Sequence, residues 1–104
     1  MHRTRQTARL MIMRHVNLYG KKACPLCDRI EDAVRPTMQR LVERGEVRFE
    51  KRNINDDDAW YDQYWDRIPV LTCDGDVLLA GNPDANQIKH AISTLEELTR
   101  CPRT

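Results

Sequence analysis

The chain carries no surplus of charge of either sign. Its 104 residues hold 17 Lys and Arg against 16 Asp and Glu, a net charge of +1. Nucleic-acid and membrane-surface binding work through a concentrated field of one sign, so neither partner is expected. Long hydrophobic runs are missing too. Nothing approaches the roughly 20 apolar residues that cross a bilayer as a helix. No secretory signal is recognisable. Four cysteines in so short a chain would suit a secreted disulfide scaffold, but the apolar positions follow the periodicity of an ordinary packed core. The expectation is a cytoplasmic protein in which two of the cysteines, three positions apart, cycle between states rather than form a fixed bridge. The length leaves room for one domain with one modest core, and a monomer is expected.

What is present is Cys24-Pro25-Leu26-Cys27, placed after a short strand-like run and at the start of a helical pattern. A helix begins with backbone N–H groups that lack intrahelical partners, and its dipole puts partial positive charge there. A cysteine at the N-cap can aim its sulfur at the amides of Leu26 and Cys27. Those donors favour the thiolate, so Cys24 should ionise more readily than free cysteine. Pro25 suits the first helical position, where a missing N–H costs nothing. Lys21 and Lys22 add positive charge just before the motif. Cys27 lies one turn further in, less exposed and beside Asp28, which opposes its ionisation. The asymmetry makes Cys24 the attacking sulfur and Cys27 the resolving one. The spacing suits a disulfide across one turn.

Two thiolates at this spacing also make half of a zinc site. The other half is what the sequence lacks: Cys73, Cys101, His2, His15 and His90 remain, and no two of them form a close pair. A CxxC beside a βαβ pattern favours redox chemistry over metal, and no metal ligand is assigned.

No acidic residue precedes Asp28. Residues 1–13, with Arg3, Arg5 and Arg9, therefore read as a basic, flexible extension to a single domain at 14–104. An organelle transit peptide is one reading, since such segments are Arg-rich and acid-poor. A disordered tail, or a true start at Met11 or Met13, is preferred.

The first strand is expected at 14–19, with Val16 and Leu18 on one face. His15 in that strand is read as structural rather than as a catalytic base. A helix follows from Pro25 to about Arg44, with Ile30, Ala33, Val34, Met38, Leu41 and Val42 as its apolar stripe. Pro36 should bend it or break it near Arg35, and Gly45 should cap it. Val47 and Phe49 mark a second strand at 46–51. The helix between makes this a βαβ unit with parallel strands. Asp56-Asp57-Asp58 reads as the capped start of a short helix at 57–66. Its aromatics Trp60, Tyr61, Tyr64 and Trp65 lie along one broad face, with at least one ring expected at the surface. A strand at 68–73 begins with Pro69, Asp74-Gly75 makes a two-residue hairpin, and the strand returns over 76–80. Asp84 is a candidate cap for a last helix at 84–99, with Ile88, Ala91, Ile92, Leu95 and Leu98 inward. Cys73 is read as a small core residue. Cys101 is read as free, with an intermolecular bridge or a regulatory role as alternatives.

The order β-α-β-α-β-β-α resembles the glutaredoxin-like branch of the thioredoxin superfamily over residues 14–99. The resemblance rests on Leu18-Tyr19-Gly20-Lys21-Lys22-Ala23-Cys24-Pro25-Leu26-Cys27, on Arg67-Ile68-Pro69-Val70, and on the Gly81 loop before the last helix. It implies an α/β thioredoxin-like fold. The mixed four-stranded sheet would have order 2-1-3-4, its third strand antiparallel to the first, with three helices on its two faces. It implies a cis peptide at Ile68-Pro69, which X–Pro bonds adopt at small cost. That leaves the Ile68 backbone free to pair with an extended substrate. Lys21 matches the lysine that such proteins keep three positions before the nucleophile, and Asp84 matches an acid of the glutathione-holding loop. Lys21, Ile68, Pro69 and Asp84 are thus the substrate-binding residues that the resemblance implies. Two departures stand out. Ala23 occupies the place of a thioredoxin tryptophan. The loop Gly81-Asn82-Pro83-Asp84-Ala85 keeps only the first glycine and one acid of the Gly-Gly-x-Asp-Asp-like pattern.

The implied activity is thiol–disulfide exchange on protein disulfides or glutathione mixed disulfides. Electrons would come from glutathione or from a thioredoxin reductase-type donor, with no cofactor required. The competing class is a binding module, either an iron–sulfur or metal site built on Cys24 or a protein-docking domain.

Overall fold

The computed structural model describes residues 13–99. The expected N-terminal extension, apart from Met13, and Cys101 lie outside the described residues. Strand β1 (Arg14–Gly20) leads to helix α1 (Pro25–Glu43), strand β2 (Val47–Asn53), a single 3-10 turn (Ile54–Asp56) and helix α2 (Asp58–Tyr64). Strands β3 (Val70–Cys73) and β4 (Asp76–Ala80) form a hairpin, and helix α3 (Ala85–Thr99) follows. The sheet order is β2-β1-β3-β4. Strand β1 runs parallel to β2 and antiparallel to β3, and β4 is antiparallel to β3. The mixed sheet and three helices expected from the resemblance are present.

Side chains alternate across a strand, and this divides the core in two. Val16, Leu18, Leu71, Cys73 and Leu79 meet α1 through Ile30, Val34, Met38 and Leu41, and α3 through Ala91 and Leu95. On the other face Val70 packs with Ile54 and Tyr64, joined by Tyr19, Trp60 and Ile68. Helices α1 and α3 therefore share one face, and α2 covers part of the other.

Helix α1 runs through Pro36 without a break. The proline and the Asp32 carbonyl that it leaves unpaired are on the exposed side, where water can satisfy the lost bond. At its end Gly45 (φ 76) follows the cap residue Arg44. The Gly45 N–H donates to the Val42 carbonyl and the Glu46 N–H to the Leu41 carbonyl. That is a Schellman closure, which needs a left-handed residue at this place. Val42 was expected in the buried stripe, but it is 45% exposed. Successive helical residues point about 100° apart, and Leu41 takes the inward direction while Thr37 completes the buried line. Leu98 of α3 is likewise exposed rather than inward.

The four aromatics of the α2 region do not share one face. Tyr64 is buried and Trp60 half-buried, whereas Tyr61 is exposed and Trp65 is 57% exposed. Pairs four apart stack on one side and their immediate neighbours point away. The helix is held at its start by the Asp57 carboxylate, which accepts from the N–H groups of Ala59 (2.8 Å) and Trp60 (3.3 Å). Replacing Asp57 by alanine should cost about 1 kcal/mol. In a domain of this size that is a fall in Tm of roughly 4–8 °C, measurable by thermal denaturation. An unchanged Tm would show that α2 stands without its cap. The turn residues Asp74 (φ 52) and Gly75 (φ 91) are both left-handed, as a type I′ hairpin demands.

Candidate active site

Cys24 is the N-cap of α1, with extended backbone (φ −123°, ψ 97°), and Pro25 opens the helix. Its Sγ accepts a hydrogen bond from the Cys27 N–H at 3.1 Å, and its carbonyl accepts the first helical bond from Asp28 at 3.1 Å. Of the two amides expected to face the sulfur, it is that of Cys27 which does so. Cys24 and Cys27 are joined as a disulfide, with Cα atoms 5.2 Å apart. Their exposures are 9% and 7%, so the expected difference in exposure is nearly absent. What distinguishes them is the donor: one sulfur sits on the helix mouth and the other inside the first turn.

The loop that delivers Cys24 contains a feature the sequence reading missed. Ala23 has φ 54°, a left-handed conformation unfavourable for a residue with a Cβ. Gly20 was read only as the start of this loop. In the structure it is the last residue of β1 and lies against Cys27, so that a Cβ there would fall 2.9 Å from Cys27 Sγ. Neither property has a local sequence signal.

The register Tyr19↔Val70 brings the Gly20–Cys24 loop and the Ile68-Pro69 segment to one end of the sheet. The Ile68-Pro69 bond is cis. Pro69 is buried, and its carbonyl accepts from the Gly81 N–H at 3.0 Å. One expectation needs correction. The Ile68 backbone is not wholly free, because its N–H donates to the Tyr64 carbonyl at 3.1 Å. The turn that ends α2 uses that donor before any substrate can.

Comparison with known proteins bears directly on this arrangement. Residues 15–95 match the family described as "Glutaredoxin-like domain (DUF836)". The chain belongs to the glutaredoxin-like domain family. Several solved structures share its fold. The germline-specific thioredoxin Deadhead from Drosophila melanogaster is 15% identical, with TM-score 0.57 over 90% of each chain. A mutant thioredoxin from Halobacterium salinarum is 18% identical, with TM-score 0.53 over 88% of this chain and 80% of that one. A Staphylococcus aureus protein of unknown function is 16% identical, with TM-score 0.56 over 82% of this chain and 93% of that one. At such identities the likeness concerns the fold.

Other residues singled out from the family resemblance are placed as follows. Lys21 is exposed and, with Lys22, Lys51 and Arg52, lines a cavity of about 320 Å³ that opens on Cys27. The carboxylates Asp28, Glu31 and Asp56 share its wall, and Glu31 is paired with Lys51 at 3.0 Å. Asp84 is the cap of α3. Its carboxylate accepts from the Gln87 N–H at 2.8 Å, and Gln87 Oε1 accepts from the Asp84 N–H at 2.8 Å. This reciprocal box occupies part of the carboxylate. Arg29, unremarked in the sequence, donates to Asn82 Oδ1 (2.7 Å) and to the Pro83 carbonyl (3.0 Å). It ties the loop before α3 to α1. His15 is exposed near the start of β1, at the end of the strand away from the cysteines.

On the face of the sheet that α2 covers, Tyr19 packs at a tilt against Tyr64 (4.5 Å between centroids) and meets Trp60 edge-on (5.7 Å). The Arg52 guanidinium lies 5.4 Å from the Trp60 ring centroid. Among the described residues no group of three or more His, Cys, Asp or Glu side chains gathers as metal ligands. A metal held through Cys24 would draw its remaining ligands from elsewhere.

Cys73 is buried in the core. Its thiol pKa is raised, first by burial and then by the charges of Asp74 and Asp76, with Arg14 opposing them. It is therefore a neutral thiol at physiological pH and a poor nucleophile. The raised folded pKa contributes stability below the unfolded thiol's pKa, and that stability is lost as pH rises towards the folded value. Iodoacetamide at neutral pH should alkylate Cys24 of the reduced protein well before Cys73. Above about pH 9, a Cys73→Val variant should lose less Tm than the parent. Equal labelling of the two cysteines would contradict the burial argument.

Proposed function

We propose that the protein is a thiol–disulfide oxidoreductase in which Cys24 attacks and Cys27 resolves. Membership of the glutaredoxin-like family supports this reading. The single observation that carries it is the Cys24 sulfur on the N-terminus of α1, bonded to Cys27. The helix end stabilises the thiolate formed on reduction. In the forward reaction Cys24 thiolate displaces one sulfur of a substrate disulfide as a thiolate and forms a mixed disulfide. Cys27 loses its proton to solvent and attacks Cys24 Sγ, and the second substrate sulfur leaves as a thiolate. The substrate gains two electrons and the protein is left oxidised as Cys24–Cys27. No organic or metal cofactor enters these steps.

The substrates are protein disulfides or glutathione mixed disulfides, and the donor is glutathione or a thioredoxin reductase-type enzyme. Lys21, Ile68, Pro69 and Asp84 are the residues proposed to hold the substrate. With the Ile68 N–H engaged, its carbonyl is the backbone group left to pair. The reading places the protein, as a monomer, in a reducing compartment such as the cytoplasm.

The test is a disulfide-reduction assay run with each donor on wild type, Cys24→Ser and Cys27→Ser. Activity of Cys27→Ser with glutathione marks a one-cysteine, glutaredoxin-type route. Loss in both variants with wild-type activity marks the two-cysteine route. No turnover by wild type with either donor would overturn the enzyme reading in favour of a binding module.

A further inference from the structure

Three of the four glycines of the chain, Gly45, Gly75 and Gly81, have positive φ and open space where a Cβ would stand. They serve the backbone. Gly20 differs: it has no positive φ and pairs in a strand with Asn53, where glycine is a disfavoured residue. Among the described residues, what a side chain there would meet is Cys27 alone, with Sγ at 2.9 Å and Cβ at 3.2 Å. Non-bonded heavy atoms prefer about 3.5–4.0 Å. In the disulfide the sulfur has little room to retreat, since it is buried and bonded to Cys24.

We propose, resting on the oxidoreductase reading, that Gly20 is a positioning residue for the second half of the exchange. Bare backbone at the end of β1 lets Cys27 Sγ stand where it reaches Cys24 Sγ. A side chain at 20 would hold the reaction at the Cys24 mixed disulfide and turn a two-cysteine protein towards a one-cysteine route. Cys24, on the helix mouth, is not touched by position 20, so the first attack is spared. The disulfide tethers Cys27 Sγ, whereas a free thiol can rotate away. The added methyl therefore weighs on the oxidised form more than on the reduced one.

The test uses reduced full-length chains carrying Cys101→Ser, mixed with one equivalent of dithiobis(nitrobenzoate). Cys24 thiolate attacks the reagent, releasing a first nitrothiobenzoate and leaving the second bound to Cys24. Cys27, after losing its proton to solvent, attacks Cys24 Sγ and releases the second. In Gly20→Ala the first release should keep its rate, and the second should slow on the order of tenfold or more. The equilibrium constant for disulfide formation against the glutathione couple should fall by a similar factor, about 30 mV per tenfold. Gly45→Ala, which strains the backbone at the far end of α1, should leave both releases unchanged. Unchanged second release and equilibrium in a folded Gly20→Ala chain would overturn the proposal. So would equal slowing of both releases. If Gly20→Ala does not fold, Gly20→Ala/Cys27→Gly should, because both atoms it met are gone; continued misfolding would show that the strand itself needs the glycine. Should wild type release no first nitrothiobenzoate faster than a free thiol, the oxidoreductase reading fails. The glutathione equilibrium then still decides the role of Gly20.

Discussion

Cys24→Ser should lower disulfide reduction by about a thousandfold or more while leaving the fold of the reduced protein intact. The loss follows from the nucleophile. A serine hydroxyl is essentially un-ionised at neutral pH, whereas a thiol on a helix N-terminus supplies thiolate there. Removal of a reacting nucleophile ranks among the largest effects of single substitutions on enzymes. The fold is spared because serine is among the best N-cap residues and can accept the Cys27 amide that now reaches Cys24 Sγ. Activity on a mixed-disulfide substrate, beside the Tm of the reduced proteins, separates the two quantities. Cys24→Ala should show the same loss of activity and in addition lose about 1 kcal/mol of capping. If Cys24→Ser kept a tenth of wild-type activity, the attacking sulfur would have to be another.

The second large effect is structural. Ile30 is 1% exposed and lies three residues after Cys27, where α1 presses on the sheet among Val16, Leu18, Val34 and Leu71. Ile30→Ala removes three carbons from this contact and leaves a cavity that the neighbouring β-branched and strand residues cannot collapse into. Such truncations cost about 2–5 kcal/mol, a large share of the 5–15 kcal/mol typical of a whole domain. A fall in Tm of roughly 10–30 °C is expected. The same anchor holds the first turn of α1 in place, so activity near the lowered Tm should fall with it. A change of only a few degrees would mean that Ile30 is less tightly enclosed than its burial indicates.

Local chemistry was well legible. Asp74-Gly75 and the run Asp76–Ala80 after it located the hairpin and β4 to the residue. The three aspartates located the start of α2 to within a residue, and the structure makes Asp57 its cap. The period of Ile30, Val34, Met38 and Leu41 located α1 and its buried line, and the dithiol marked the site. Errors arose where direction had to be inferred from spacing. Val42 and Leu98 are apolar but face outwards. The aromatics of the α2 region divide between two sides, because one helical step turns a side chain by about 100°. Pro36 was expected to bend α1 or break it near Arg35, and the helix runs through it unbroken, since the carbonyl it orphans is on the exposed side. The cis bond at Pro69 was reached through the family resemblance; no residue next to it announces the isomer.

The sequence alone determined which residues form each element and which atoms can do chemistry, because capping, turn formation and periodicity depend on neighbours a few positions apart. Only the tertiary structure decided what stands against those atoms. Gly20 beneath Cys27 and Arg29 bound to the Asn82-Pro83 loop are meetings of residues held on different elements. Their geometry is set by how the sheet and helices pack, and packing answers to the shape of the whole core rather than to any local run of residues.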